Sequence, residues 1–259
     1  MKSNYHAHTP RCQHAVGEEI EYVQAAVEAK FDVLGISDHT PWRGDVYRPN
    51  MRMSENELAG YVQAVRAAGE KYKDSITVLC GLEAEYWADG MNWLLEQKEK
   101  YGIDYLLLGN HFVGNLPEIW YSGGAETHAE QRAYVEATVK GMQTGAYMYL
   151  AHPDLFLAQV DDFDDYSRDC CRELIRAAKA CNMPLEYNLE GLKVVRTSTR
   201  FHGQGYPASN FWAIAAEENA PCIIGVDAHL PESLTNYEYY EYAQRTLNGL
   251  GLKPIERIL

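Results

Sequence analysis

Side chains that ligate transition metals recur along this chain in six short clusters. They are His6-Ala7-His8 with His14 just beyond, Asp38-His39, Gly81-Leu82-Glu83, His111, His152, and Asp227-Ala228-His229. Seven of the nine histidines fall in them. Imidazole nitrogen and carboxylate oxygen suit zinc, iron or manganese, and a multi-metal hydrolytic centre needs about this many ligands. A lone histidine after a strand is more often a hydrogen-bonded structural residue, and His128 and His202, which lie off the pattern, take that reading. Asp154 reads as a turn cap, and Glu85, on the same strand face as Glu83, as a partner that orients a ligand.

Each cluster follows an apolar, β-like run. The strand candidates are Ser3–Ala7, Asp32–Ser37, Ile76–Leu82, Tyr105–Gly109, Tyr147–Ala151, Leu185–Asn188 and Cys222–Val226. Helical patterns lie near 18–30, 54–73, 91–101, 126–144, 166–181, 208–219 and 236–250, with a capping-box spacing at Ser54-Glu55-Asn56-Glu57. Strict β-α alternation implies an α/β fold with a parallel sheet. At this length the sheet is expected to close into a single-domain, TIM-barrel-like (β/α) barrel of seven strands spanning 1–259. In such a barrel the C-terminal strand ends converge on one face, so residues from position 6 to position 229 become neighbours. The irregular stretches 40–53, 112–125 and 189–207 each follow a strand and are expected to shape the pocket.

The 259 residues are 46% hydrophobic, enough for one substantial core, and no run is long and apolar enough for a membrane span. The opening residues lead straight into a ligand cluster without a signal-peptide pattern, so a cytoplasmic protein is expected. The six cysteines form no CxxC pair and read as buried thiols, with Cys12, between His8 and His14, a conceivable soft ligand. A net charge of −14 argues against stable binding to a nucleic-acid backbone. Bound divalent cations would reverse that sign locally, leaving a small phosphorylated substrate as the expected partner.

Taken together, the clusters resemble the polymerase and histidinol phosphatase (PHP) family of metal-dependent phosphoesterases, with His111 in Leu108-Gly109-Asn110-His111-Phe112 and His152 in Ala151-His152-Pro153-Asp154-Leu155. The opening His6-Ala7-His8-Thr9-Pro10-Arg11-Cys12, the segment Leu82-Glu83-Ala84-Glu85-Tyr86 and Tyr206-Pro207 are similar to its monofunctional histidinol-phosphatases. The resemblance implies a distorted seven-stranded barrel and three divalent metals. His6, His8, Glu83 and Asp227 would hold the first, Glu83 would bridge to a second held by His111 and His152, and His14, His39 and His229 would hold the third. It implies hydrolysis of a phosphomonoester, with L-histidinol phosphate the best single substrate, by a metal-bridging hydroxide. Glu83 and Asp227 are then catalytic through the metals, and Asp38 is a candidate orienting group or proton donor.

Charge building on phosphorus favours cationic side chains. Lys193, Arg196 and Arg200 follow the sixth strand, and Arg43, Arg48 and Arg52 follow the second. Arg196 and Arg200 are preferred, with Lys193 and Arg48 next. Two pocket loops depart from the histidinol-phosphatase pattern. One is Thr40-Pro41-Trp42-Arg43-Gly44; the other carries Glu190 where small residues are usual and Lys193 where an arginine is expected. These departures put the substrate in question rather than the metal chemistry. Another small phosphomonoester or a nucleotide is the alternative, ahead of C–N hydrolysis of the amidohydrolase kind or a non-catalytic metal-binding module.

Overall fold

A computed structural model describes residues 2–45, 50–115 and 118–259. Four short parallel strands form one ladder in chain order: β1 (Ser3–Asn4), β2 (Val33–Ile36), β3 (Thr77–Ala84) and β4 (Tyr105–Leu108). Helices α1 (Glu19–Glu28), α2 (Leu58–Lys71) and α3 (Met91–Tyr101) return the chain between them. After an antiparallel hairpin, β5 (Phe112–Asn115) with β6 (Glu118–Tyr121), come α4 (His128–Gln143) and α5 (Asp165–Ala180). Strand β7 (Leu185–Asn188) leads into α6 (Leu189–Thr197) and α7 (Ser209–Glu217). It pairs in parallel with β8 (Cys222–Gly225), which is followed by α8 (Tyr237–Gly249).

Single parallel bridges connect these pieces: Leu108 with Leu150, Leu150 with Leu185, and Ala7 with Ala228. Among the described residues the Tyr147–Ala151 run therefore joins its neighbours through one bridge on each side, both at Leu150, instead of forming a ladder strand. Two further expectations are corrected. Part of the stretch read as loop at 112–125 is the β5–β6 hairpin, and much of 189–207 is α6. Helix α6 is short and contains Gly191 and two valines, which weakens its helical signature. It forms because Asn188 caps its start, the side-chain oxygen accepting from Gly191 N at 2.8 Å. The Ser54/Glu57 capping box is present, one residue ahead of α2.

Every described residue of β2, β4, β7 and β8 is buried, as expected for strands covered on both faces. The main core packs strands against helices. A smaller cluster of Tyr5, Val33, Tyr105, Leu107, Tyr149, Ala151 and Ile223 gathers side chains from successive strands. Tyr239, Tyr240 and Tyr242 of α8 pack partly buried against the main core. No helix among the described residues is long and apolar enough to cross a membrane.

Candidate metal centre

Strand alternation explains how the histidines converge. Ala7 bridges Ala228, with His8 N donating to Ala228 O and Ala228 N to His6 O, so His6 and His8 project to the same side. Glu83, at the buried end of β3, projects into the same space, and His152 and Asp227 reach it from positive-φ backbone (29° and 51°). Non-glycine residues seldom hold that conformation, and its strain is characteristic of functional sites.

Glu83 is the centre of the arrangement. Its Oε2 lies 3.3 Å from His6 Nε2, 3.6 Å from His8 Nε2 and 3.0 Å from His39 Nδ1. Its Oε1 lies 2.7 Å from His152 Nε2 and 3.6 Å from His111 Nε2. Asp227 Oδ1 faces the first group, 3.3 Å from His6 Nε2 and 2.9 Å from His8 Nε2. One carboxylate thus presents separate oxygens to two sets of imidazoles. A third set is His14, His39 and His229, in which His14 and His229 bring their Nε2 atoms to 3.0 Å.

This donor set fits divalent cations. His6 Nε2, His8 Nε2, Glu83 Oε2 and Asp227 Oδ1 are buried, converge, and make no hydrogen bond among the described residues. Groups of that kind are costly to bury unless something positive lies between them. Burial holds His39 and His14 below the ordinary imidazole range and takes His111 and His229 to about 3, so all four are neutral lone-pair donors near neutral pH. Burial also opposes charge on His6 and His8, but carboxylates prevail. Asp227, Glu186 and Glu83 raise His6, and Asp227 and Asp38 take His8 to about 9. Burial likewise pushes Glu83 and Asp227 upward, yet the surrounding histidines hold both well below the usual carboxylate range. Protons here balance charge that a metal would balance, and metal binding displaces them.

The carboxylate of Asp38 accepts from Thr9 N, Thr9 Oγ1 and His39 N, with His8 Nδ1 at 3.4 Å. It is fully buried and is not among the residues that line the cavity above the histidines. Cys12 groups with His8 and His229, but burial raises its thiol far above neutrality, keeping it a poor ligand beside the imidazoles. His128 and His202 lie outside the centre, hydrogen-bonded to Asp164 and Asp161. Asp154 stands at the N-cap position of the turn Leu155–Leu157, but its side chain does not cap that turn: its Oδ2 accepts from Ala208 N and Trp212 Nε1, tying the start of α7 to the segment after His152.

Above the histidines opens a cavity of about 580 Å³, within the usual range for small-molecule sites. Lys193 and Arg200 line it, with Glu190, Tyr121 and Tyr206. Arg196 does not; one helical turn beyond Lys193, it stacks on Tyr242 of α8 at 4.0 Å. Arg52 is buried against Glu85, with Nη2–Oε1 at 2.6 Å, and over Trp42. Glu85 therefore meets Arg52 closely and His111 only at 4.0 Å. Arg43 lines a separate cavity of about 440 Å³ beside Trp42, Trp87 and Trp93, and Arg48 lies outside the described residues.

Sequence reasoning missed Glu186. Its Oε1 accepts from His6 Nδ1 at 2.8 Å and Tyr149 Oη at 3.1 Å, and its Oε2 from His152 N at 3.0 Å and Asn188 Nδ2 at 2.8 Å. The available signal was a charged residue inside the short strand Leu185–Asn188. Gly109 is the other unrecognised determinant. A Cβ there would lie 2.1 Å from Glu83 Oε1 and 2.6 Å from Glu83 Cγ, so only glycine leaves room for the central carboxylate. Gly109→Ala is expected to lower bound metal and kcat/KM by roughly 10–100-fold while every ligand remains chemically intact, the range seen when ligands lose their supports. Metal titration of the purified variant checks this; wild-type affinity would show that the carboxylate is free to move.

The PHP domain family model matches residues 4–190. A Deinococcus radiodurans protein named "Probable histidinol-phosphatase" is 25% identical over 240 residues, covering 87% of this chain and 85% of the relative. The Bacillus subtilis histidinol-phosphatase is 21% identical over 272 residues, covering 95% and 99%. Among solved structures, the Lactococcus lactis histidinol phosphate phosphatase complexed with zinc, L-histidinol and phosphate shares the fold with a TM-score of 0.74. It is 18% identical, with 98% of this chain and 95% of that one covered. With a family model spanning most of its length and the ligand clusters of that family gathered at one centre, this chain belongs to the PHP domain family.

Proposed function

We propose that this protein is a metal-dependent phosphomonoesterase that hydrolyses L-histidinol phosphate to L-histidinol and phosphate. The observation that carries the reading is Glu83, whose two oxygens face two sets of imidazoles at the base of a cavity rimmed by Lys193 and Arg200. The names of the relatives, and the ligands of the Lactococcus lactis structure, support the substrate assignment.

In this reading His6, His8, Glu83 and Asp227 would hold one metal, Glu83 with His111 and His152 a second, and His14, His39 and His229 a third. Zinc, iron and manganese all suit such ligands. Bound there, the cations would supply Lewis acidity toward phosphoryl oxygen and toward a nearby water. The protein's own groups do the rest. Glu186 keeps the His6 Nδ1 proton, leaving the Nε2 lone pair directed at the centre, and Asp38 does the same for His8. Lys193 and Arg200 draw the phosphate from solvent and orient it, Arg200 with a bidentate fork. We also infer that the bridges at Leu150 and Ala7–Ala228 join the ladders into one closed ring of seven parallel segments, a single barrel domain over 1–259.

Protein stripped with a chelator and reloaded with zinc, manganese or iron tests the function by phosphate release. Activity should vanish on stripping and return on reloading. L-Histidinol phosphate should exceed p-nitrophenyl phosphate in kcat/KM by at least about tenfold, the worth of one good polar contact in the transition state. If the two esters are turned over equally well, the substrate assignment fails.

A further inference from the structure

The cavity contains an anion that phosphate binding does not call for. Glu190 lies in the first turn of α6, with both carboxylate oxygens 2.9 Å from Lys193 Nζ. Both side chains line the cavity over the histidine centre, and the Glu190 side chain is only 18% exposed. Burial raises the Glu190 carboxyl above its ordinary value, Lys193 partly offsets this, and the negative charge of Asp227 adds to the rise. The carboxylate is therefore held in an unfavourable place, with Lys193 as its close counter-ion.

A phosphate entering this cavity competes for the same lysine. Once Lys193 turns to phosphoryl oxygen, Glu190 is left as a poorly solvated anion beside another anion, and like charges so placed repel. The arrangement becomes favourable when the substrate itself carries a cation close to its phosphoryl group, replacing the ammonium that Glu190 gives up. Because Glu190 and Lys193 touch, the two substrate charges must also be near neighbours. An amine on the carbon next to the ester-bearing carbon meets that requirement. A distant cation does not.

We infer that Glu190 is a specificity-determining residue that binds a substrate amine, so that the site selects phosphomonoesters of 2-amino alcohols over esters without the amine. This rests on the phosphomonoesterase reading above. A role confined to seating Lys193 is the competing account, and it predicts equal losses on every phosphate ester.

The test compares wild type, Glu190→Gln and Glu190→Asp in the metal-loaded enzyme on three substrates: L-histidinol phosphate, its deamino analogue 3-(imidazol-4-yl)propyl phosphate, and p-nitrophenyl phosphate. Glu190→Gln should lose about tenfold or more in kcat/KM on L-histidinol phosphate, mainly through KM, as expected for one charge-assisted hydrogen bond. The two esters without the amine should lose nothing and should gain, because the variant removes the carboxylate that holds Lys193 and repels their phosphate, and Glu190→Asp should recover part of the loss on the amino ester. Inhibition by L-histidinol, which has the amine but no phosphate, should weaken in parallel. Equal losses on all three esters, or none on the amino ester, would overturn the inference while leaving the phosphomonoesterase intact. A wild-type enzyme that hydrolyses none of the three would defeat both.

Discussion

Glu83→Gln is expected to lower kcat/KM by at least about a thousandfold, about 4 kcal/mol of transition-state stabilisation, and to empty two of the three proposed metal positions. The substitution keeps the size of the side chain and removes its charge. His6, His8 and His39 then face at Oε2 a group that is neutral, and His111 and His152 face its counterpart at Oε1. The fold should survive, because Glu83 enters it through its main chain, which pairs with Leu107 and bridges His39. Elemental analysis and thermal melts with and without chelator separate these effects. Bound metal stabilises only the native state, so chelation should lower Tm sharply in wild type and little in the variant. Hydrolysis at the wild-type rate by Glu83→Gln would sink the bridging role outright.

The proposed ligands are legible because two independent patterns coincide at nearly every one: an apolar run of strand length, and a metal-binding residue type at its C-terminal end or in the loop that follows. Parallel alternation then explains how His6 and Asp227, at opposite ends of the chain, come within 3.3 Å. What was not legible lay where a pattern is local but its consequence is not. Within this cluster of cations the sequence prefers Arg196 and Arg200 over Lys193, yet helix α6 carries Lys193 over the cavity and places Arg196 against Tyr242. The chain beyond the helix returns Arg200 to the cavity. Arg52 reads in the sequence as one of the loop cations open to a phosphate, and burial beside Glu85 and Trp42 makes it part of the interior. Glu85 alternates with Glu83 as expected, but alternation sets only the face, and Arg52 claims its carboxylate before His111 can.

Glu186 shows how much of the centre depends on a residue that touches none of the proposed metals. It is fully buried and receives four donors, two at each oxygen: His6 Nδ1 and Tyr149 Oη, then His152 N and Asn188 Nδ2. Glutamine can replace one oxygen only. Whichever way its amide turns, an NH2 group confronts two existing donors, and each orphaned donor costs about 1–3 kcal/mol. Glu186→Gln should therefore lower unfolding stability by roughly 3 kcal/mol. By freeing His6 to rotate or change tautomer, it should also weaken metal affinity about 10–100-fold. A purely structural role would reduce Tm without moving the affinity of the folded protein. Gly225→Ala provides the complementary perturbation, since its Cβ would lie 1.8 Å from Glu186 Oε1 and must push an unaltered carboxylate away from His6. If both variants weaken metal binding in calorimetric titration, the decisive quantity is where the Glu186 charge sits relative to His6. Unchanged affinity in Glu186→Gln would leave orientation of His6 to its packing alone.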